Sequence, residues 1–275
     1  MNISVIITTY NSHRVLERVL AAYNAQSVTD FELFVADDGS GAETAQTIAA
    51  FQKSSRIPIH HIWQEDAGFR VAAIRNRALA ATAADYVIFS DGDCIPSLSF
   101  VERHRQLAER GWFVAGSRVL LNEAFTKKLL EEKIPVHEWR SYQWLQAAIT
   151  KKANRWSVVH YLPLPSFLRK LCARGWQGVM TCNLACWRED LLAINGFDEE
   201  YEGWGLEDSD LVIRLLNQKI SRKSARFATV VFHLWHKKNS NSNLENNRQR
   251  LLELLRLENT KAKKGVEQYL VHSEE

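Results

Sequence analysis

Two aspartates one residue apart, Asp91-Gly92-Asp93, close an apolar run, Tyr86-Val-Ile-Phe-Ser90. Two carboxylates so near each other at a strand end cannot both be buried unpaired. A hard divalent cation satisfies them, and Mn2+ or Mg2+ takes carboxylate oxygens together with phosphate oxygens. A cation held there would neutralise a departing diphosphate. The same three residues also suit a solvated turn, because Asp and Gly are common turn formers. A second acidic cluster, Asp37-Asp38-Gly39-Ser40, follows another strand-like run. A carboxylate in that position accepts hydrogen bonds from a nucleobase or a ribose, or makes a turn.

Further along, Gly203-Trp204-Gly205-Leu206 leads into Glu207-Asp208-Ser209-Asp210. Glycines allow close backbone approach to a ligand, and Trp204 offers a flat apolar face for a sugar ring. Acids in a first helical turn are also stabilised by the helix dipole, so capping alone accounts for Glu207, Asp208 and Asp210 equally well. His233 and His236 follow the strand-like run Phe227 to Phe232. Imidazole is a good ligand for Mn2+. A lone His is more often structural, and that reading suits either of them equally.

These residues need elements to position them. Ile3 to Thr9 is β-rich and apolar, and residues 13–25 carry Val15, Leu16, Val19, Leu20 and Tyr23 at helical spacing. Phe31–Ala36, Pro58–Trp63 and Tyr86–Ser90 read as strands, with helices over Thr44–Phe51 and Val71–Ala84 between them. This β-α-β-α-β-α-β order predicts an α/β fold: a central mixed, mostly parallel sheet flanked by helices. Ligands bind such sheets at the carboxyl ends of strands, where Thr8-Thr9-Tyr10-Asn11 and both acidic clusters fall. After about residue 122 the pattern breaks. Lys151 to Gly175 holds six Lys or Arg and no Asp or Glu, with Trp156, Tyr161 and Phe167 among them. That stretch reads as an insertion rather than a core element, and as either a solvated loop or a flap against an anionic acceptor or lipid headgroups. A helix is expected from about Glu207 to Gln218, and a charged helical tail after residue 240.

Composition sets outer limits. The chain has 275 residues, 46% hydrophobic and 24% charged, enough for a full core. A formal net charge of +3 makes no case for nucleic acid. The cysteines Cys94, Cys172, Cys182 and Cys186 show no CxxC spacing, which argues for a reduced compartment. With no signal-peptide pattern and no run of about 18 apolar residues, the expected location is the cytoplasm.

Taken together, Thr8-Thr9-Tyr10-Asn11, Asp37-Asp38-Gly39-Ser40, Gly68 with Arg75-Asn76, and Asp91-Gly92-Asp93 resemble the family 2 glycosyltransferases of the GT-A, Rossmann-like fold. That resemblance covers residues 1–118 closely. It implies that Thr8 and Tyr10 line a uracil, that Asp38 hydrogen-bonds it, and that Asp91 touches the ribose or a metal-bound water. It further implies that Asp93 binds the metal and that the Arg75-Asn76 region closes the donor site. Asn195-Gly196-Phe197-Asp198-Glu199 with Gly203–Asp210 is similar to the acceptor segment of β-1,4-galactosyltransferases and bacterial chondroitin polymerases. By that similarity Asp208 is the general base, Trp204 and Glu207 meet the acceptor, and His233, with His236 as the alternative, completes the metal site. Leu206 stands where that segment usually has Gly.

The resemblance implies an inverting transfer of a hexose or N-acetylhexosamine from a UDP-sugar to a sugar hydroxyl of a glycan or lipid-linked glycan. It implies lipopolysaccharide, capsule or similar surface-glycan assembly; the basic, aromatic stretch 151–176, on its composition, is the candidate for peripheral contact at the inner face of the cell membrane. The expected organisation is one GT-A domain over 1–240. It divides into a nucleotide-sugar half (1–118), an insertion (119–176) and an acceptor half (177–240), followed by the tail (241–275). Two alternatives share the fold. A sugar-phosphate nucleotidyltransferase is opposed by the lack of a Gly-rich, Lys/Arg-bearing loop after the first strand. A non-catalytic glycan- or nucleotide-binding protein is opposed by the joint presence of Asp93, Asp208 and a candidate metal His. No GxGxxG follows the first strand, which excludes a dinucleotide oxidoreductase.

Overall fold

The structure, a computed structural model, describes residues 1–154, 164–237 and 243–270. The first half runs β1 (Ile3–Thr9), α1 (His13–Asn24), β2 (Glu32–Asp37), α2 (Ala42–Ser54), β3 (Ile59–Trp63), α3 (Val71–Ala81) and β4 (Tyr86–Asp91). Next come β5 (Cys94–Pro96), α4 (Phe100–Leu107), β6 (Trp112–Ala115) and β7 (Ser117–Leu120). The middle holds α5 (Glu123–Glu132), a 3-10 turn at Val136–Glu138, α6 (Ser141–Ile149) and α7 (Ser166–Arg169). The rest is β8 (Asn183–Trp187), α8 (Arg188–Ala193), α9 (Glu207–Asn217), β9 (Ser221–Ser224), β10 (Val230–His233), α10 (Leu244–Leu257) and α11 (Glu267–Leu270).

Seven strands form one sheet in the order β3-β2-β1-β4-β8-β6-β9. The first four are mutually parallel, and β8 runs antiparallel to both β4 and β6. The expected α/β, mostly parallel sheet is therefore present. Strand residues alternate between two cores, as a period of two requires. Val5 and Ile7 face one side with Leu33, Val35 and Ile88; Ile6 faces the other with Phe34, Val87 and Phe89. On the first side pack Leu16, Val19, Leu20 and Tyr23 of α1. The second side takes Ala72, Ile74, Ala78 and Leu79 of α3 and Leu211, Val212 and Leu215 of α9.

Chain order changes direction around β1, which lies between β2 and β4. This is the switch point where a parallel sheet opens a crevice. Thr8 pairs with Asp91 across one side of β1 and Thr9 with Asp37 across the other. The register thus puts the ends of all three strands level. A second, three-stranded sheet in the order β5-β10-β7 lies after this edge, with His233 registered against Cys94 and Leu120.

Two sequence expectations need correction. The 119–176 segment is not merely an insertion. Phe125 and Leu129 of α5 and Trp144 and Ala147 of α6 join the first core, and the Trp144 ring stacks on Phe232 at 3.9 Å. A charged stretch with little periodicity hid short helices whose inner faces are apolar. Trp156, Tyr161 and Arg155 lie outside the described residues. The tail is likewise no separate appendage: Leu251 and Leu254 of α10 pack with Ile213 of α9, and Val266 is fully buried in the second core.

Candidate active site

Four loops meet above the β1–β4 edge. Gly92 turns the chain so tightly over β1 that its N–H donates to the Thr8 carbonyl at 2.7 Å. A Cβ on Gly92 would stand 2.7 Å from that same oxygen, so only glycine fits between the two aspartates. Asp91 and Asp93 consequently diverge. Asp91 accepts from the Thr8 hydroxyl at 2.9 Å and from Arg75 at 3.1 Å. Asp93 turns toward the three-stranded sheet.

Arg75, on α3, is almost completely buried, and its guanidinium is the centre of the site. One nitrogen meets Asp91; another lies 3.3 Å from Glu207 and 3.7 Å from Asp208. Its cation also sits 5.2 Å from the centroid of the Phe197 ring. One buried cation therefore joins the acid of the first half to both acids of the second. Sequence placed Arg75 at the closing edge of the donor site; its contacts are with carboxylates inside the protein. Asn76 reinforces the junction, exchanging hydrogen bonds with the Phe197 backbone and donating to Glu199.

The three acids of α9 have different roles. Asp210 is buried against Arg214 at 2.5 Å, and Arg214 holds the carbonyls of Ile194 and Gly196. That acid is structural. Asp208 accepts from the Thr181 backbone N–H at 3.1 Å and from the Thr181 hydroxyl at 2.9 Å. Thr181 carries no motif, and no pattern in the sequence marks it. Burial pushes Glu207 up to about 8, with the charge of Asp208 adding to the rise and Arg75 opposing it. Leu206 stands at φ 77°, the left-handed conformation that glycine adopts freely. The loop thus keeps a glycine-like shape at that position at a local cost of about 1–2 kcal/mol.

On the other side, the Asp93 Oδ2 lies 3.1 Å from the His236 Nε2 and 3.5 Å from the His233 Nε2. The Leu234 N–H donates to the Asp93 carbonyl, extending the β5–β10 pairing that brings these residues together. The His236 Nδ1 faces the Lys237 carbonyl at 2.9 Å, which fixes the proton on that nitrogen and presents Nε2 toward Asp93. Both histidines singled out in the sequence reach the same carboxylate. Burial raises Asp93, but the His236 hydrogen bond and the two imidazole charges outweigh it and hold the acid below its ordinary value. Donor chemistry and spacing fit a divalent cation: ligands about 2.1 Å from an octahedral ion sit about 3 Å apart. Two imidazoles with a carboxylate suit Mn2+ better than Mg2+. The Cys94 thiol completes a cluster with Asp93 and His233 whose ligand atoms lie within 4.8 Å of one another.

The base-side residues are further out. Asp38 is buried and accepts from the Gln64 side chain at 2.5 Å and the Arg70 N–H at 2.8 Å. Burial raises it, against the pull of those hydrogen bonds. Tyr10 is half-exposed, with its hydroxyl donating to Asp66 at 2.8 Å. Thr8 spends its hydroxyl on Asp91 rather than on the base side. Trp204 is half-exposed beside the start of α9.

The family model for glycosyl transferase family 2 matches residues 4–170, more than half of the chain. The chain is a family 2 glycosyl transferase. A second model, described as the N-terminal domain of galactosyltransferase, matches residues 167–237. Chondroitin synthase of Escherichia coli is 26% identical over 228 residues, covering 78% of this chain and 32% of that protein. Validoxylamine A glucosyltransferase of Streptomyces hygroscopicus subsp. limoneus is 28% identical over 232 residues, covering 81% of this chain and 50% of that one. The chain thus spans a third to a half of the length of these relatives. Among solved structures, S. aureus TarS 1–349 in complex with UDP-GlcNAc superposes with a TM-score of 0.63 at 16% identity, over 98% of this chain and 70% of that one. The Pyrobaculum calidifontis mannosyltransferase PcManGT with GDP-Man and Mn2+ gives 0.62 at 16% identity, over the same shares of the two chains. Both show the GT-A fold.

In this glycosyl transferase the raised Glu207 carboxyl has a consequence for stability. Below about pH 4.5 the acid is neutral whether folded or not; between there and about 8 the unfolded chain ionises it while the folded chain resists. The folded state then binds more protons, so this contribution to stability is lost as pH rises through that window. Glu207→Gln should flatten the decline. Unfolding free energies from urea titrations at pH 5 and pH 8 check this: the fall between the two pH values should be smaller in the variant than in the parent.

Proposed function

We propose that this glycosyl transferase moves a hexose or N-acetylhexosamine from a UDP-sugar to a glycan hydroxyl, with inversion at the anomeric carbon. The observation that carries the proposal is the pairing, through Arg75, of the Asp91 end of the nucleotide half with Glu207 and Asp208 at the head of α9. Asp208 is the general base. Thr181 fixes its carboxylate with two donors and leaves lone pairs for the acceptor hydroxyl. That hydroxyl proton passes to Asp208 as its oxygen bonds to the anomeric carbon and the bond to UDP breaks. Glu207, raised toward neutrality, hydrogen-bonds the acceptor, and Trp204 lies against a sugar face. Asp38 and Tyr10 flank the uracil. Asp38 still has lone pairs beyond the two bonds it accepts, enough to take the uracil N–H.

Asp93, His233 and His236 would hold Mn2+ or Mg2+. A bound cation supplies charge neutralisation for the diphosphate. The relatives' named products make a polysaccharide acceptor a natural choice, and bound nucleotides in the neighbours include both UDP and GDP types. The donor base is therefore tested rather than assumed. Asp208→Asn should lower kcat by about 10²–10⁴ while UDP affinity, measured by calorimetry with Mn2+, stays within a few-fold. Asp93→Ala should instead weaken the Mn2+-dependent part of UDP binding. If Asp208→Asn turns over normally, or if GDP and ADP bind as well as UDP, the proposal fails.

A lipid-linked acceptor at a membrane surface is favoured by the middle segment, although for a different reason from its charge. Arg169 is buried and donates to the carbonyls of Ser224 and Arg226, and Lys170 pairs with Glu109. Both are committed within the protein. Large apolar side chains are exposed as well: Tyr142, Leu145 and Ile149 on the outer face of α6, and Phe167, Leu168 and Leu171 on and just after α7. No Asp or Glu falls between Glu138 and Glu189. Exposed apolar side chains on a stretch without acids suit an anionic bilayer interface. Among the described residues no helix is long and apolar enough to cross a membrane. Replacing Ile149 and Leu171 by Ser should lower flotation with phosphatidylglycerol vesicles by about tenfold. Equal flotation of parent and variant, or none by either, counts against membrane contact.

A further inference from the structure

Both family models end at or before residue 237, yet the chain beyond them reaches back to the site. Asn247, in α10, is 2% exposed. Its side-chain amide donates to the Glu202 carbonyl at 3.2 Å and to the Gly205 carbonyl at 3.0 Å. Those two carbonyls bracket Gly203 and Trp204. The loop between them is sharply bent, with φ of 72° at Gly203, 107° at Gly205 and 77° at Leu206. A backbone bent in this way satisfies few of its own polar groups, and a buried carbonyl without a donor is costly.

The helix that carries Asn247 is itself well anchored. Leu251 and Leu254 pack on Ile213 of α9, with Leu206 and Trp176 against the same cluster. Its first residues also shape the loop: a Cβ on Gly203 would come 3.3 Å from the Asn243 side chain, and one on Gly205 would come 3.3 Å from Leu244. Gly203 and Gly205 are therefore needed twice, for their φ and for their closeness to α10. Trp204 projects from a loop whose two ends are held by one amide, itself fixed to the helix that carries Glu207 and Asp208.

We infer that Asn247 is a positioning residue of the acceptor subsite, clasping the 202–206 loop so that Trp204 is presented at a fixed place beside Asp208. The inference rests on the acceptor role proposed above for Trp204; the clasp itself can be tested without turnover. Asn247→Leu keeps the volume and removes the donors; Asn247→Asp keeps the shape and cannot donate. Hydrogen exchange followed by mass spectrometry on the full chain should show amides in 202–208 exchanging on the order of tenfold faster in both variants. Protection of β1 and β4 and the affinity for UDP with Mn2+ should stay within about twofold of the parent. Unchanged loop exchange in both variants overturns the inference. So does faster exchange spread equally over β1 and β4, which marks a purely structural role, or normal protection in Asn247→Asp, which assigns the effect to shape. Failure of the donor or acceptor assignments has a separate sign: the parent would not bind UDP, or Trp204→Ala would turn over normally, with the loop result untouched.

Discussion

A guanidinium buried among three carboxylates holds this molecule's two halves in register. Taking Arg75 out of water costs several kcal/mol, a cost offset only when Asp91, Glu207 and Asp208 are all in place. Neither the β1–β4 half nor the α9 half alone satisfies it. The arrangement also has to be made in pairs from the other side. Glu207 and Asp208 are adjacent acids at one helix start, and without a cation between them and Asp91 three negative charges would face one another in a half-buried space. The family-2-like segment and the galactosyltransferase-like segment are thus coupled through one side chain, and Asn76 next to it ties Phe197 and Glu199 to the same helix.

That constraint divides the labour of the Asp91-Gly92-Asp93 motif. Arg75 and Thr8 claim Asp91, and the tight turn at Gly92 sends Asp93 the other way, to His233 and His236. The two sheets meet at this point. The large sheet supplies the nucleotide side, and the β5-β10-β7 sheet brings the imidazoles. A site of opposed charge results: acids around a fixed cation on one flank, and a carboxylate with two imidazoles on the other. The proposed transfer, which both stabilises a departing diphosphate and removes a proton nearby, needs such separation.

Much of this was legible in the residues because it is periodic or adjacent in sequence. The alternating strands of the first half and the helical spacing of Leu16, Val19, Leu20 and Tyr23 mark the sheet and its first helix. Asp91-Gly92-Asp93 and Glu207-Asp208 stand out as short acidic clusters beside glycines. What escaped detection depends on distance along the chain. The Arg75-Asn76 motif was marked, but Arg75 meets Glu207 across 132 positions, and no local pattern pairs the two. Thr181 lies 27 positions from the carboxylate it fixes. Regular structure over Val179 to Trp187 was legible, but the antiparallel placement of β8 was not, because a strand buried on both faces shows no alternation. Trp144 carries no motif to mark it, and the helix of the charged tail was legible while its packing of Leu251 and Leu254 on α9 was not.

The central claim is that Arg75 couples the two halves, and a double-mutant cycle tests it most directly. Unfolding free energies would be measured by urea titration at pH 7 for the parent, Arg75→Met, Glu207→Gln and the double variant. Coupling through this shared buried contact predicts that the two single losses exceed the double loss by about 1–3 kcal/mol. Losses that add to within about 0.5 kcal/mol would show that Arg75 and Glu207 act independently, and would contradict the account.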